Sequence, residues 1–198
     1  MFRLGLTGSI ATGKSTTLQA FADLGIPVFS SDDAVHALYK AEAVPLVEAV
    51  FPGVTIDGVI DRARLSAILV AHPERLKSLE AIVHPLVRAR INNFLAAAEA
   101  TGAKLAVVDI PLLNERGIDW GFDAVAVTVV DEAEQRRRAL ARPGMTVEKL
   151  DAILARQLPQ AEKRARADYI LDTGTSIDST RADVAALVGK LLQSPEAR

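Results

Sequence analysis

The chain has 198 residues, carries 23 Lys and Arg against 25 Asp and Glu for a formal net charge of −2, and contains no cysteine. That length buries one good core with room for a modest insertion, but not two full enzymatic domains. Balanced charge provides no global field for nucleic acid or an anionic membrane surface, and the lack of cysteine excludes disulfides, thiolate metal sites and thiol catalysis. No stretch approaches the roughly 18 consecutive apolar residues of a membrane span, and with a phosphate-binding motif starting at Gly8 no signal peptide is expected. The expectation is a cytoplasmic protein with small-molecule partners, a monomer or weak homo-oligomer.

Phe2 to Leu6 is a short apolar run that predicts a buried strand, and Lys14 opens an amphipathic helix to Asp23 that Leu24-Gly25 stops. Ile26 to Phe29 predicts a second strand, after which Ser30-Ser31-Asp32-Asp33 caps the next helix. From Ala34 to about Ala100 the pattern is helical, with breaks at Pro45, Pro52-Gly53, Asp57-Gly58, Pro73 and Pro85, and reads as an all-helical insertion. Strand signals return at Lys104 to Ile110 and Ala124 to Val130, a helix carries Glu134 to Ala141, and Tyr169 to Leu171 is the last strand before a C-terminal helix. Alternating strands and helices predict an α/β fold with a mostly parallel, doubly wound sheet and ligands at the carboxyl ends of its strands.

Gly8 to Ser15 satisfies G-x-x-x-x-G-K-[ST], the P-loop. Its glycines let successive N–H groups turn inward around phosphates, Lys14 brings positive charge to the β and γ oxygens, and the Ser15 hydroxyl is a hard ligand for Mg²⁺. Gly8, Ala11, Thr12, Gly13, Lys14, Ser15 and Thr16 are therefore the candidate ATP-binding residues, backed by the positive end of the following helix.

Two acids follow strands. Asp32, past the second, is the candidate general base and a water-mediated Mg²⁺ ligand, with a helix N-cap as the alternative; Asp109, after Leu105 to Val108, is a candidate for Mg²⁺ or its waters, with turn initiation before Pro111 as the alternative. Arg136, Arg137, Arg138 and Arg142 fall in a predicted helix running into Pro143-Gly144. Arg138 and Arg142 share a face at i,i+4 spacing and suit a lid that offsets transition-state charge, whereas Arg136 and Arg137 read as a solvated face paired with Glu132 and Glu134. His84, before Pro85, is either a cap or core residue between two helices or a substrate contact.

In order, Gly5-Leu6-Thr7-Gly8 through Ser15, Ser30-Ser31-Asp32, His84-Pro85, Pro111-Leu112-Leu113-Asn114-Glu115, Arg138 with Arg142, Gln157 and Ala167-Asp168-Tyr169 resemble the dephospho-coenzyme A kinase family. That family's pattern includes GLTGGIGSGKS, D-A-D, H-P and P-L-L-F-E, and the likeness spans nearly the whole chain. It implies a P-loop NTPase three-layer fold with a helical coenzyme A-binding insertion over about 57–100 and a lid over about 138–148. It further implies ATP-dependent phosphorylation of the dephospho-coenzyme A 3′-hydroxyl, with Mg²⁺, in the last step of coenzyme A synthesis. Thr7, Asp32, His84 and Leu113 match acceptor-binding positions, Arg142 a nucleotide contact, and Ser15, Asp32 and Asp109 the metal set.

Ser9 and Ala11 depart from loop glycines, Ser30 from the first acid of D-A-D, and Asn114 from an aromatic; Ala11 is accordingly expected at negative φ. The competing readings are a kinase of a smaller hydroxyl acceptor, such as a nucleoside or sugar acid, and a nucleotide-dependent switch. The absence of an N/T-K-x-D guanine-reading segment argues against the switch.

Overall fold

The computed structural model describes residues 1–110 and 120–193. The chain divides into two compact units, Met1–Phe29 with Leu95–Arg198, and Ser30–Phe94. Its elements begin with β1 (Phe2–Gly8), α1 (Lys14–Asp23) and β2 (Val28–Ser30), then α2 (Ser31–Leu38), α3 (Ala43–Val50), β3 (Thr55–Ile56), β4 (Val59–Ile60) and α4 (Arg62–Ala71). They continue through α5 (Leu76–Ala100), β5 (Leu105–Asp109), β6 (Ala124–Val129), α6 (Glu132–Leu140), α7 (Val147–Leu154), α8 (Gln160–Arg166), β7 (Tyr169–Asp172) and α9 (Ile177–Gln193).

The main sheet runs β2-β5-β1-β6-β7, and β1 pairs in parallel with both β5 and β6, as β6 does with β7. The connections after β1 lead to one side of it, through β2 and β5, before β6 is laid on the other. β1 therefore stands at the switch point where a doubly wound sheet opens a crevice beyond its carboxyl ends. The expected α/β, mostly parallel, doubly wound sheet is what the chain forms.

Period-two alternation decides one face of this sheet. Phe2, Leu4 and Leu6, Leu105 and Val107, Ala124 and Ala126, and Leu171 pack with Leu18 and Phe21 of α1 and with Val184, Leu187, Val188 and Leu191 of α9. The α9 residues recur at i, i+3, i+4 and i+7, a single helical stripe. Ala106, Val108 and Val127 on the opposite face are buried as well, so the strands read as continuous apolar runs rather than alternating ones. Each fully buried leucine of this layer, such as Leu4 or Leu6, contributes about 1.5–3 kcal/mol by burial.

Two expectations for the second unit are corrected. The insertion is not all-helical: β3 and β4 form an antiparallel hairpin about Asp57 (φ 50) and Gly58 (φ 77). An Asp-Gly pair with both residues at positive φ is the signature of a two-residue hairpin turn, and apolar residues flank it here. Glu48 fixes the approach to this hairpin by accepting from the N–H groups of Gly53 (2.6 Å) and Thr55 (2.8 Å) and from the Thr55 hydroxyl (2.6 Å).

Pro85 is the second correction, because α5 continues through it. A proline inside a helix removes one N–H and crowds the preceding turn, at a cost of about 3 kcal/mol. Here a stripe of Leu79, Val83, Val87, Ile91 and Leu95, spaced by four and buried throughout, offsets that cost. Among the described residues no helix is long and apolar enough to cross a membrane.

Candidate active site

The loop between β1 and α1 is held open by three threonines. The Thr12 hydroxyl donates to the Ser9 carbonyl (2.8 Å) and lies 2.8 Å from the hydroxyl of Thr128 on β6. The Thr173 hydroxyl, just past β7, donates to the Thr12 carbonyl at 2.9 Å. A Cβ at Gly8 would collide with the Thr128 hydroxyl and stand 2.7 Å from that of Thr12, and one at Gly13 would come within 2.9 Å of the Thr173 hydroxyl. Glycine is thus required at both positions by close approach, and at Gly13 also by φ 80.

Ala11 has φ 61, which corrects the expectation of negative φ. Concave phosphate cradles need left-handed residues to turn consecutive N–H groups to one side, and the loop keeps that geometry although a methyl group has replaced glycine's hydrogen. Ala11 is buried and packs with Ala139 of α6 and Leu150 of α7, so the surrounding structure dictates its conformation.

Lys14, in the first turn of α1, is ion-paired with Asp109 at the end of β5. Their side chains are 12% and 4% exposed, which makes this a nearly buried pair beside the loop. Ser15 and Thr16 follow on the exposed face of α1.

Arg138 is clamped from two sides. Its Nε donates to Glu134 at 2.7 Å, and its Nη2 to the Thr173 carbonyl at 2.9 Å. Glu134 also receives Arg137 at 2.6 Å, and these two guanidinium groups, Arg137 foremost, hold its carboxyl down at about 2. Arg136 pairs with Asp151 on α7, 2.9 Å away, instead of with an acid of its own helix. Arg142 is not on the helix as expected, since α6 ends at Leu140 with Ala141 as its C-cap. Pro143-Gly144 ends the helical path earlier than the i,i+4 spacing supposes, yet Arg142 still reaches the site.

Ala11, Gly13 and Thr16 on one side, Arg137, Arg138 and Arg142 on another, and Thr173 and Ile177 beyond them enclose a cavity of about 410 Å³. The arginines bring positive charge to its wall, and Ile177, 58% exposed at the start of α9, gives it an apolar patch. Three arginines against one carboxylate, Glu134, suit this wall to an anionic ligand. Sequence reading missed Thr128, Thr173 and Ile177. The only signal was a lone hydroxyl near the end of each of two apolar strand runs.

Asp32 stands in the first turn of α2, exposed, and its carboxylate makes no hydrogen bond or ion pair among the described residues. The N-cap is Ser30, whose hydroxyl accepts from the Asp33 N–H at 3.2 Å, so the Asp32 carboxylate is not consumed by capping. His84 is half-buried inside α5 rather than between two helices, Thr7 is fully buried in β1, and Leu113 lies outside the described residues. Asp168 is structural: its carboxylate accepts from the Val125 N–H at 2.8 Å and ties the entry of β7 to β6.

A sequence profile of dephospho-CoA kinase matches residues 2–179. The dephospho-CoA kinase of Mesorhizobium japonicum is 54% identical over 191 residues, covering 96% of this chain and 97% of that one; its counterpart in Rhodopseudomonas palustris strain HaA2 is 51% identical over the full length of both. A solved Thermus thermophilus protein superposes with a TM-score of 0.82 at 33% identity, covering 96% of this chain and 97% of its own. With a P-loop at the sheet's switch point and an arginine-lined cavity beside it, the chain belongs to the dephospho-CoA kinase family.

Proposed function

We propose that this protein transfers the γ-phosphoryl group of ATP to the 3′-hydroxyl of dephospho-coenzyme A in the cytoplasm, giving coenzyme A and ADP as the last step of coenzyme A synthesis. The observation that carries this reading is the phosphate loop opening onto the arginine-walled cavity, in a chain of this family. The N–H groups from Ala11 to Thr16 hold the β and γ phosphates, Arg138 and Arg142 offset the charge that develops on the transferring group, and Ile177 offers a surface for the base. The segment 138–148 serves as the cover over the nucleotide, and residues 57–100 carry the acceptor-binding surface.

Asp32 accepts the proton of the acceptor hydroxyl. An exposed carboxylate that neither caps a helix nor pairs with a cation is free for that work. Bound Mg²⁺ would neutralise charge on the transferring phosphate, and the Ser15 hydroxyl and Asp32 carboxylate would hold it, directly or through water. The donors fit it in part. The Ser15 hydroxyl is exposed at the loop's end, and Asp32 is unpaired, whereas Asp109 is engaged by Lys14 and reaches a cation only through water or after Lys14 has turned to phosphate.

Incubation of the protein with Mg²⁺–ATP and dephospho-coenzyme A, followed by mass detection of ADP and coenzyme A, tests the reading. Stoichiometric formation of both, lost by at least about a hundredfold in Asp32→Asn, is expected. A nucleoside or sugar acid phosphorylated faster than dephospho-coenzyme A would replace the acceptor. Nucleotide binding with no acceptor phosphorylated would replace the activity.

A further inference from the structure

Two glutamines link Val130, just past β6, to the crest of the phosphate loop, and a third meets that crest from the other side. The Val130 N–H donates to Gln160 Oε1 (3.1 Å), Gln160 Nε2 to Gln135 Oε1 (2.8 Å), and Gln135 Nε2 to the carbonyl of Ile10 (2.8 Å). From the other side, the Ile10 N–H donates to Gln157 Oε1 at 3.0 Å. Backbone groups at both ends fix the polarity, so each of these amides has only one workable orientation. Gln135 is 3% exposed.

We propose that Gln135 and Gln157 are positioning residues that lock the peptide groups on either side of Ile10 and so aim the phosphate loop at ATP. The Ile10 carbonyl belongs to the same planar trans peptide as the Ala11 N–H, and the two point in opposite directions. Holding that carbonyl on Gln135 therefore directs the Ala11 N–H away from α6. Gln157 meanwhile occupies the Ile10 N–H, so the donors left for phosphate begin at Ala11.

The lock is needed because Ala11 sits at φ 61, where a flip of the Ile10–Ala11 peptide would relieve strain and turn its N–H away. Gln135 also stands three residues before Arg138 on α6. One helix thus sets both a loop donor and a guanidinium group of the cavity wall, in register with each other. Ile10 and Ala11 pack with Ala139, Leu150, Met145 and Leu154, which seats the crest of the loop on α6 and α7.

The test uses hydrogen-bond polarity and rests on the reading that the loop holds ATP. Glutamate at 157 still accepts from the Ile10 N–H; glutamate at 135 loses the donor to the Ile10 carbonyl while adding the same charge beside the same residue. Expected for the full-length protein is an ATP KM within about threefold of wild type in Gln157→Glu and raised at least about tenfold in Gln135→Glu, with the KM for dephospho-coenzyme A unchanged in both. Gln157→Met, uncharged and at a half-buried site, should also raise the ATP KM about tenfold, and it decides the matter if Gln135→Glu fails to fold.

Equal ATP KM values in the two glutamate variants, a wild-type value in Gln157→Met, or a matching rise in the acceptor KM would overturn the proposal. Should the wild type bind ATP yet phosphorylate nothing, ATP dissociation constants from calorimetry replace KM and are judged the same way. Failure of the wild type to bind ATP sinks both the loop reading and the clamp.

Discussion

The ammonium group of Lys14 and the carboxylate of Asp109 neutralise each other across the gap between α1 and β5, both nearly shielded from water. Removing one partner of such a pair strands the other charge, which costs about 3–5 kcal/mol in buried settings. Lys14→Met and Asp109→Asn should therefore both lower Tm. Mg²⁺–ATP should separate them. Phosphate oxygens can take over Lys14 in Asp109→Asn and restore most of the lost Tm, whereas Lys14→Met has no cation to offer and gains little. Thermal scans with and without nucleotide give the answer; equal rescue of both would show that Lys14 never leaves Asp109.

Ala11 sets two small quantities against each other. Replacement by glycine relieves a left-handed alanine, worth roughly 1–2 kcal/mol, but loses a methyl group buried against Ala139 and Leu150, worth about 0.8 kcal/mol, and frees the unfolded chain by a similar amount. The expected change in stability for Ala11→Gly is within about 1 kcal/mol of zero. Ala11→Val has no such balance, because a β-branched residue is badly strained at φ 61 in a filled cluster. It should cost more than about 2 kcal/mol and weaken ATP binding with it. Denaturant midpoints for the two variants check the contrast.

Where the sequence was legible, the reason was periodicity or a local rule. Strand β1, the loop and α1 follow from an apolar run, two glycines with Lys14 and Ser15, and a stop at Leu24-Gly25. The break at Asp57-Gly58 was legible, but the hairpin it turns was not, because two strands of two residues each are too short to show alternation inside a helical stretch. Pro85 misled because the break rule is local, while the buried stripe that overrides it extends from Leu79 to Leu95. The candidate site divides the same way. Its P-loop residues were visible as a motif, but Thr128 and Thr173 lie 116 and 161 residues from Thr12. Only the sheet order β1-β6-β7 brings them to it.

That remote bracing makes Gly8 a severe test. In Gly8→Ala the new methyl group collides with the Thr128 hydroxyl and presses on that of Thr12, both inside a fully buried network that cannot give way. Loss of ATP binding by at least about a hundredfold is expected. Adding Thr128→Ala removes the nearer obstacle and should recover part of the binding, although the Thr12 hydroxyl 2.7 Å away still limits it. Calorimetric titration of the single and double variants measures the coupling, and additive losses would mean that Thr128 is not what Gly8 accommodates.

Glu134 ties the arginine wall to pH. Its carboxyl, ordinarily near 4.5, is held at about 2 by Arg137 and then Arg138, so in the folded protein it stays ionised far into acid. A depressed folded value means that the unfolded chain takes up the proton first as pH falls. The stabilisation is complete above about pH 4.5, declines below it, and is lost as pH passes through 2. The activity profile between pH 5 and 9 should then carry no inflection from Glu134. Glu134→Gln should flatten the decline in Tm below pH 4.5 and, by freeing Arg138 on one side, raise the ATP KM several-fold at pH 7. Because the pair is partly exposed, added salt should shrink the stability difference more than the KM difference, since Arg138 keeps its contact with the Thr173 carbonyl. A profile in which Glu134→Gln matches wild type at every pH would remove Glu134 from the site.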